Sequence, residues 1–221
     1  MSQTKTLVLD AALSCFNERG FRTVTMRDVA ALIKLSPGNL AYHYRNKEAL
    51  LLALLDRMAL DVAERLAGIR LIPTFQNIDV QLQAFFGYQQ TYRFFYQDAL
   101  ELCRAHEPLA ATWQQHADDQ HAAIAAVIAY SVGAGSLQSE AHPGAHAFLA
   151  RNVWLTLQFG PAQGAIRGLT IPQAEAETRT ALWQLVLPHL TPVGEQRFQA
   201  AVPDLLPLPF PAISTQTNSP A

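Results

Sequence analysis

Residues 24 to 48, VTMRDVAALIKLSPGNLAYHYRNKE, carry three helix starts in close succession, and this spacing constrains the chain more than any other stretch. Thr25 is placed to cap the first helix with its hydroxyl. Asp28 can return the bond three residues on, and Val24 and Val29 stand at the positions of a hydrophobic staple. Ser36 repeats the device, with Pro37 at the first helical position and Leu35 and Leu40 as the staple. Asn46 opens the third helix, which runs on through Lys47, Glu48, Leu50 and Leu54. The middle helix, from Pro37 to about Tyr44, has room for barely two turns. It is too short to stand alone in water, so neighbours must hold it through Leu40 and Tyr44. Its other side carries Gly38, Asn39, Ala41, Tyr42 and His43, polar but largely uncharged. A short helix that is small at its start and rich in hydrogen-bonding groups on its open side suits a DNA major groove.

Lys47 adds a second clue. A cation at the first position of a helix opposes the macrodipole, at about 0.3–1 kcal/mol when exposed. A phosphate at that helix start would turn the repulsion into attraction, since amides and ammonium would both face negative charge. The alternative is a solvated lysine of little consequence. Upstream, residues 4 to 19 read as an amphipathic helix with Leu9, Leu13 and Phe16 on one stripe, Gly20 as C-cap and Phe21 folding back. Leu9, Phe16, Phe21, Val29, Leu32 and Leu40 are expected to form a small core, buttressed by the helix after Asn46. Charge is divided to match: residues 1 to 60 hold eight Lys or Arg against five Asp or Glu, the remainder eight against thirteen, and the total of −2 conceals the split. Modest positive charge on one region gives the salt-dependent affinity of a duplex binder.

These residues resemble the N-terminal domain of the TetR/AcrR family of bacterial transcriptional regulators over positions 5 to 55, most closely in FNERGF, TVTMRDVA and SPGNLAYHYRNKEAL. The resemblance implies an all-α protein. A helix-turn-helix, three-helix DNA-binding domain (1–48) would be joined by a long helix to a helical effector-binding and dimerisation domain (49–190), followed by a Pro-rich, partly disordered tail (191–221). It places Thr25 and Arg27 near the DNA backbone, and Ser36, Pro37, Gly38 and Asn39 at base edges and adjoining phosphates. Tyr42, His43 and Lys47 fall at phosphate-contacting positions, with Arg45 as a further backbone contact. Three residues depart from the family pattern. Lys34 stands where Gly is common in the turn, implying either a left-handed residue at about 1 kcal/mol or a different turn. Ala41 replaces a frequent aromatic, and Tyr44 replaces Phe.

Beyond Asn46, Leu50, Leu51, Leu54, Leu55, Met58, Val62 and Leu66 predict a long helix ending near Gly68, then a loop over 69 to 78 around Pro73. A helix from Asp79 to about Ala105 carries seven aromatic rings between Phe85 and Tyr96, more than one face can hold. Some rings are core. By the family resemblance, Tyr92, Phe95, Tyr96 and Trp113 would wall a pocket for a small, largely apolar effector, with Glu101 or Arg104 setting charge preference. Further helices are expected over 109 to 132, 145 to 159 (stopped by Gly160 and Pro161) and 172 to 189, the last with a Thr170–Gln173 capping box. In the resembling family the last two long helices pair across a two-fold axis, so a homodimer reading a palindromic double-stranded operator is implied.

Nothing points to catalysis. There is no glycine-rich phosphate loop and no Cys-x-x-Cys pair. His142 and His146 are separated by Pro143 and Gly144, so no metal and no cofactor are expected. Cys15 and Cys103 read as buried thiols of a reducing cytoplasm. Neither a membrane span nor a secretion pattern is expected. The leading expectation is a repressor released from its operator by a small molecule. The competing one is a helical ligand-binding or interaction module that has lost sequence-specific DNA binding through Lys34 and Ala41.

Overall fold

Three capped starts organise the front of the molecule as the sequence predicts. The computed structural model describes residues 3–67 and 72–205, the side chains of 62–67 apart. Among the described residues it is all-α: α1 (Gln3–Arg19), α2 (Met26–Leu32), α3 (Pro37–His43), α4 (Lys47–Ala67), α5 (Phe75–Thr91), α6 (Arg93–Ala105), α7 (Glu107–Gly133), α8 (Ala145–Ile166), α9 (Ile171–Val186) and α10 (Pro192–Ala201). α1 ends at Gly20, whose φ of 75° supplies the left-handed cap. Val8, Leu9, Phe16, Val29, Leu40, Leu50 and Leu54 pack the front core, and this core continues without a break into Tyr92, Phe94 and Phe95. Leu32, expected in that core, is 56% exposed. The helix ends there, and Ile33 and Leu35 beyond the turn pack against the core instead. The expectations for Val62 and Leu66 lie outside the described side chains.

Three boundaries differ from the sequence reading, each for a traceable reason. The long aromatic helix is two helices. It begins at Phe75 because Thr74 caps it, its hydroxyl accepting from Asn77 N at 3.2 Å, and it breaks at Tyr92 (φ −111°, ψ 35°). The break is held from α1: Asn17 Nδ2 donates to Thr91 O at 2.9 Å, and Phe94 N donates to Asn17 Oδ1 at 3.0 Å. One amide side chain thus serves both backbone groups that the break would orphan.

Pro161 does not stop α8, which runs through it to Ile166. A proline removes the N–H that would bond the carbonyl four residues back, here that of Leu157. Gln89 Nε2 from α5 replaces it, donating to Leu157 O at 3.1 Å and Gln158 O at 3.3 Å. Gly160 and Gly164 let α9 lie close, since a Cβ at either would meet Thr178 or Ala174 side chains at 2.6 Å.

The chain after 191 is folded as far as Leu205. Thr191 caps α10 and Pro192 opens it. Gly194 sits where a Cβ would lie 2.0 Å from Ser136 O. Phe198, Val202 and Leu205 are buried with Phe75 and Trp183 in a second core. Asp79 joins this end together: it accepts from Arg179 Nε at 2.7 Å and from Trp183 Nε1 at 2.9 Å, while Arg179 also pairs with Asp204 at 2.7 Å. A Pro-rich composition masked an amphipathic turn whose apolar positions had a surface to cover. The apolar piece from 206 to 210 lies outside the described residues.

Candidate nucleic-acid interface and ligand cavity

The short helix α3 is built to be held from one side and open on the other. Ser36 caps it, its hydroxyl accepting from Asn39 N at 3.2 Å, with Pro37 at the first position. Leu40 is fully buried and Tyr44 nearly so, which anchors the helix in the front core beside α2. Pro37, Gly38, Asn39 and Ala41 are exposed, and Tyr42 is 86% exposed, its ring 5.3 Å from that of the half-buried His43. Arg45 follows, exposed.

α2 presents its own start beside it. Thr25 and Asp28 form the expected capping box: Thr25 N donates to Asp28 Oδ2 at 2.7 Å, and Asp28 N donates to Thr25 Oγ1 at 3.3 Å. The Thr25 bonds, with Arg19 beside them, hold the Asp28 carboxyl down to about 2. Arg27 is exposed on the same helix. The turn into α3 passes through Lys34 with φ 56°, so the left-handed option is the one adopted, without the glycine that would make it free of strain.

Lys47 takes up a position that sequence spacing did not disclose. Its ammonium donates to Phe21 O at 2.9 Å and Arg22 O at 3.2 Å and lies 4.4 Å from the Phe21 ring centroid. It therefore ties the start of α4 to the loop after α1, where carbonyls lack helical partners. Two of its three N–H donors are used in these bonds.

The expected effector wall is mostly core. Tyr92 and Phe95 are at most 1% exposed, and the Phe95 ring packs tilted against Trp113 with centroids 4.9 Å apart. Tyr92 donates to Asp61, and burial together with that bond pushes its phenol up to about 12. Glu101 and Arg104 line a groove on the outside of α6 with Arg22 and Asp98. Tyr96, of the expected four, lines a cavity of about 320 Å³ between the α5–α6 break and the α8–α9 pair. Its other walls include Asn17, Gln89, Gln90, Arg93, Gln158 and Pro161. None of these polar residues was singled out from sequence, because glutamines spaced along separate helices carry no local signal. Arg93 is shared with the front domain: its Nε and Nη2 donate to Asn17 O at 3.2 and 3.0 Å.

Apolar side chains left in solvent lie along α8. Phe148, Leu155, Phe159 and Ile166 are 70%, 38%, 42% and 87% exposed, and intervals of seven, four and seven put them on one helical face. Among the described residues no helix is long and apolar enough to cross a membrane.

Two family models match the chain. One, described as bacterial regulatory proteins of the tetR family, covers residues 8–54; the other, described as bacterial transcriptional repressor (TetR), covers 57–198. The HTH-type transcriptional regulator UidR of Escherichia coli K12 is 33% identical over 73 residues, a match spanning 31% of this chain and 37% of that protein. A TetR-family regulator from Marinobacter aquaeolei VT8 superposes with a TM-score of 0.81 at 26% identity, over 91% of this chain and 98% of that one. A transcriptional regulator from Saccharomonospora viridis, solved in complex with choline, has the same fold at TM-score 0.71 and 17% identity, over 86% and 98% of the two chains.

Proposed function

The chain belongs to the TetR family of bacterial transcriptional regulators, and on that premise we propose that it is a homodimeric, cytoplasmic repressor released from a palindromic operator by a small effector. The observation that carries the reading is the open face of α3, where Asn39 and the 86%-exposed Tyr42 stand clear of the body. In this reading Ser36, Pro37, Gly38 and Asn39 meet base edges and adjoining phosphates. Tyr42, His43, Arg45 and the spare donor of Lys47 hold phosphates, and Thr25 and Arg27 approach the backbone.

One α3 reads too few base pairs for useful specificity, and two in a dimer would enter major grooves about 34–36 Å apart. The stripe of Phe148, Leu155, Phe159 and Ile166 on α8 supports pairing through α8 and α9. Coupling has a physical route: Asn17 and Arg93 both line the cavity and both fasten α1 to the α5–α6 break. A ligand that favours one arrangement of those bonds changes the seating of the front domain, and DNA and ligand then oppose each other reciprocally.

The test is selection of bound fragments from source genomic DNA, followed by anisotropy titration with one selected duplex. Arg45→Ala should weaken binding on every duplex and flatten the salt dependence, whereas Asn39→Ala should change which duplex is preferred. Phe159→Arg should yield a monomer in sedimentation and lose most of the affinity. Indifference of genomic DNA to the unliganded protein at low ionic strength would refute the reading.

A further inference from the structure

Three of the residues that line the α5–α9 cavity each keep a buried side-chain oxygen with no protein partner: Oε1 of Gln89, Gln90 and Gln158. Gln89 and Gln158 are only 4% and 1% exposed, so bulk water does not explain them. For Gln89 and Gln158 the identity as oxygens is fixed by the surrounding bonds. Trp154 Nε1 can only donate, and it donates to Gln120 Oε1 at 2.9 Å. The same Gln120 oxygen takes the Gln158 amide nitrogen, which leaves the Gln158 oxygen unused. The Gln89 nitrogen is likewise committed to the carbonyls at Leu157 and Gln158 by the proline in α8. Two acceptors are thus aligned by bonds that the fold itself requires.

No carboxylate lines this cavity, and its charged residue is Arg93. A cationic ligand would meet a like charge with no counter-ion, and a wholly apolar one would leave each amide oxygen desolvated and unpaired. Pro161, Ala162 and Leu169 add a patch of C–H groups on which a saturated ring can lie. A volume of about 320 Å³ is at the small end for ligand pockets.

We propose that this cavity binds a neutral, hydroxyl-rich molecule, a monosaccharide or cyclic polyol, whose hydroxyls donate to Gln89, Gln90 and Gln158. The assignment rests on the effector-domain reading above and replaces the largely apolar effector expected from sequence.

Binding is measured on the full chain by calorimetric titration and thermal shift with D-glucose, D-galactose and myo-inositol, against choline and decanoate. At least one polyol should bind and raise Tm, while choline and decanoate leave it unchanged. Gln158→Leu and Gln90→Leu should each weaken that polyol at least tenfold. Gln90→Leu should do so without lowering the Tm of the free protein, which guards against simple misfolding. The inference is overturned if none of the three polyols binds, or if polyol affinity is the same in both variants, the oxygens then being satisfied by water alone. Release of a selected DNA fragment is followed in parallel. Release by choline or decanoate with no polyol binding refutes the ligand class and leaves the regulator intact. Polyol binding that never affects DNA upholds the ligand class and refutes the effector reading.

Discussion

The face of α3 and the cavity behind α6 are both polar, yet they are finished in opposite ways. Between residues 3 and 56 no described side chain has a buried polar atom lacking a partner, whereas the cavity keeps three amide oxygens unpaired. At the front, capping bonds consume the polar groups that face inward, and what remains polar stands in solvent, available to a large external partner. In the body the polar groups were drawn inward by structural duties, such as replacing the hydrogen bond missing at Pro161, and their second atoms were left over. In the readings proposed above, the first surface meets a rigid polymer and the second site takes a small molecule.

If the body is held by a few buried ionic bonds and the front by many local ones, single substitutions should differ sharply in cost. Asp79→Ala should cost the most, about 3 kcal/mol in thermal or urea unfolding, because it strips Arg179 of one carboxylate and Trp183 of its acceptor. A loss below about 1 kcal/mol would mean that apolar packing alone seats α10. Asn17→Ala addresses the link between the regions. It should cost about 1–3 kcal/mol by leaving Thr91 O and Phe94 N unpaired, and it should also reduce the effect of ligand on DNA affinity. Unchanged coupling would break the proposed route while leaving both sites in place. The smallest effect belongs to the front: Lys34→Gly should stabilise by about 1 kcal/mol, since its φ of 56° costs a side-chain-bearing residue that much. No gain there would mean that the added unfolded-state entropy of glycine cancels the relieved strain.

How much was legible depends on the range of the cause. The capping box of Thr25 and Asp28, the Ser36 cap with Pro37, the Gly20 terminus and the Thr170–Gln173 box involve residues three or four apart, and each can be read along the chain. Lys47 shows the limit of that reading. Its place at a helix start was visible, but its bonds to Phe21 and Arg22 were not, because they cross about 25 positions. Of the aromatic run near Tyr92, some rings read as core and others, by the family resemblance alone, as a pocket wall; most of the run is core, packed with residues of α1 and α7. Leu32 went the other way, left outside when the turn at Lys34 redirected the chain.

Residue order alone determined where the front helices begin and which side of α3 turns outward, since both follow from local hydrogen bonds and apolar spacing. Only tertiary packing decided that α8 continues through its proline, that α10 is folded onto the body and that three glutamine oxygens are left without a protein partner. Each of those outcomes depends on a donor, an acceptor or an apolar surface supplied by a distant segment, and no local pattern records which segment will arrive.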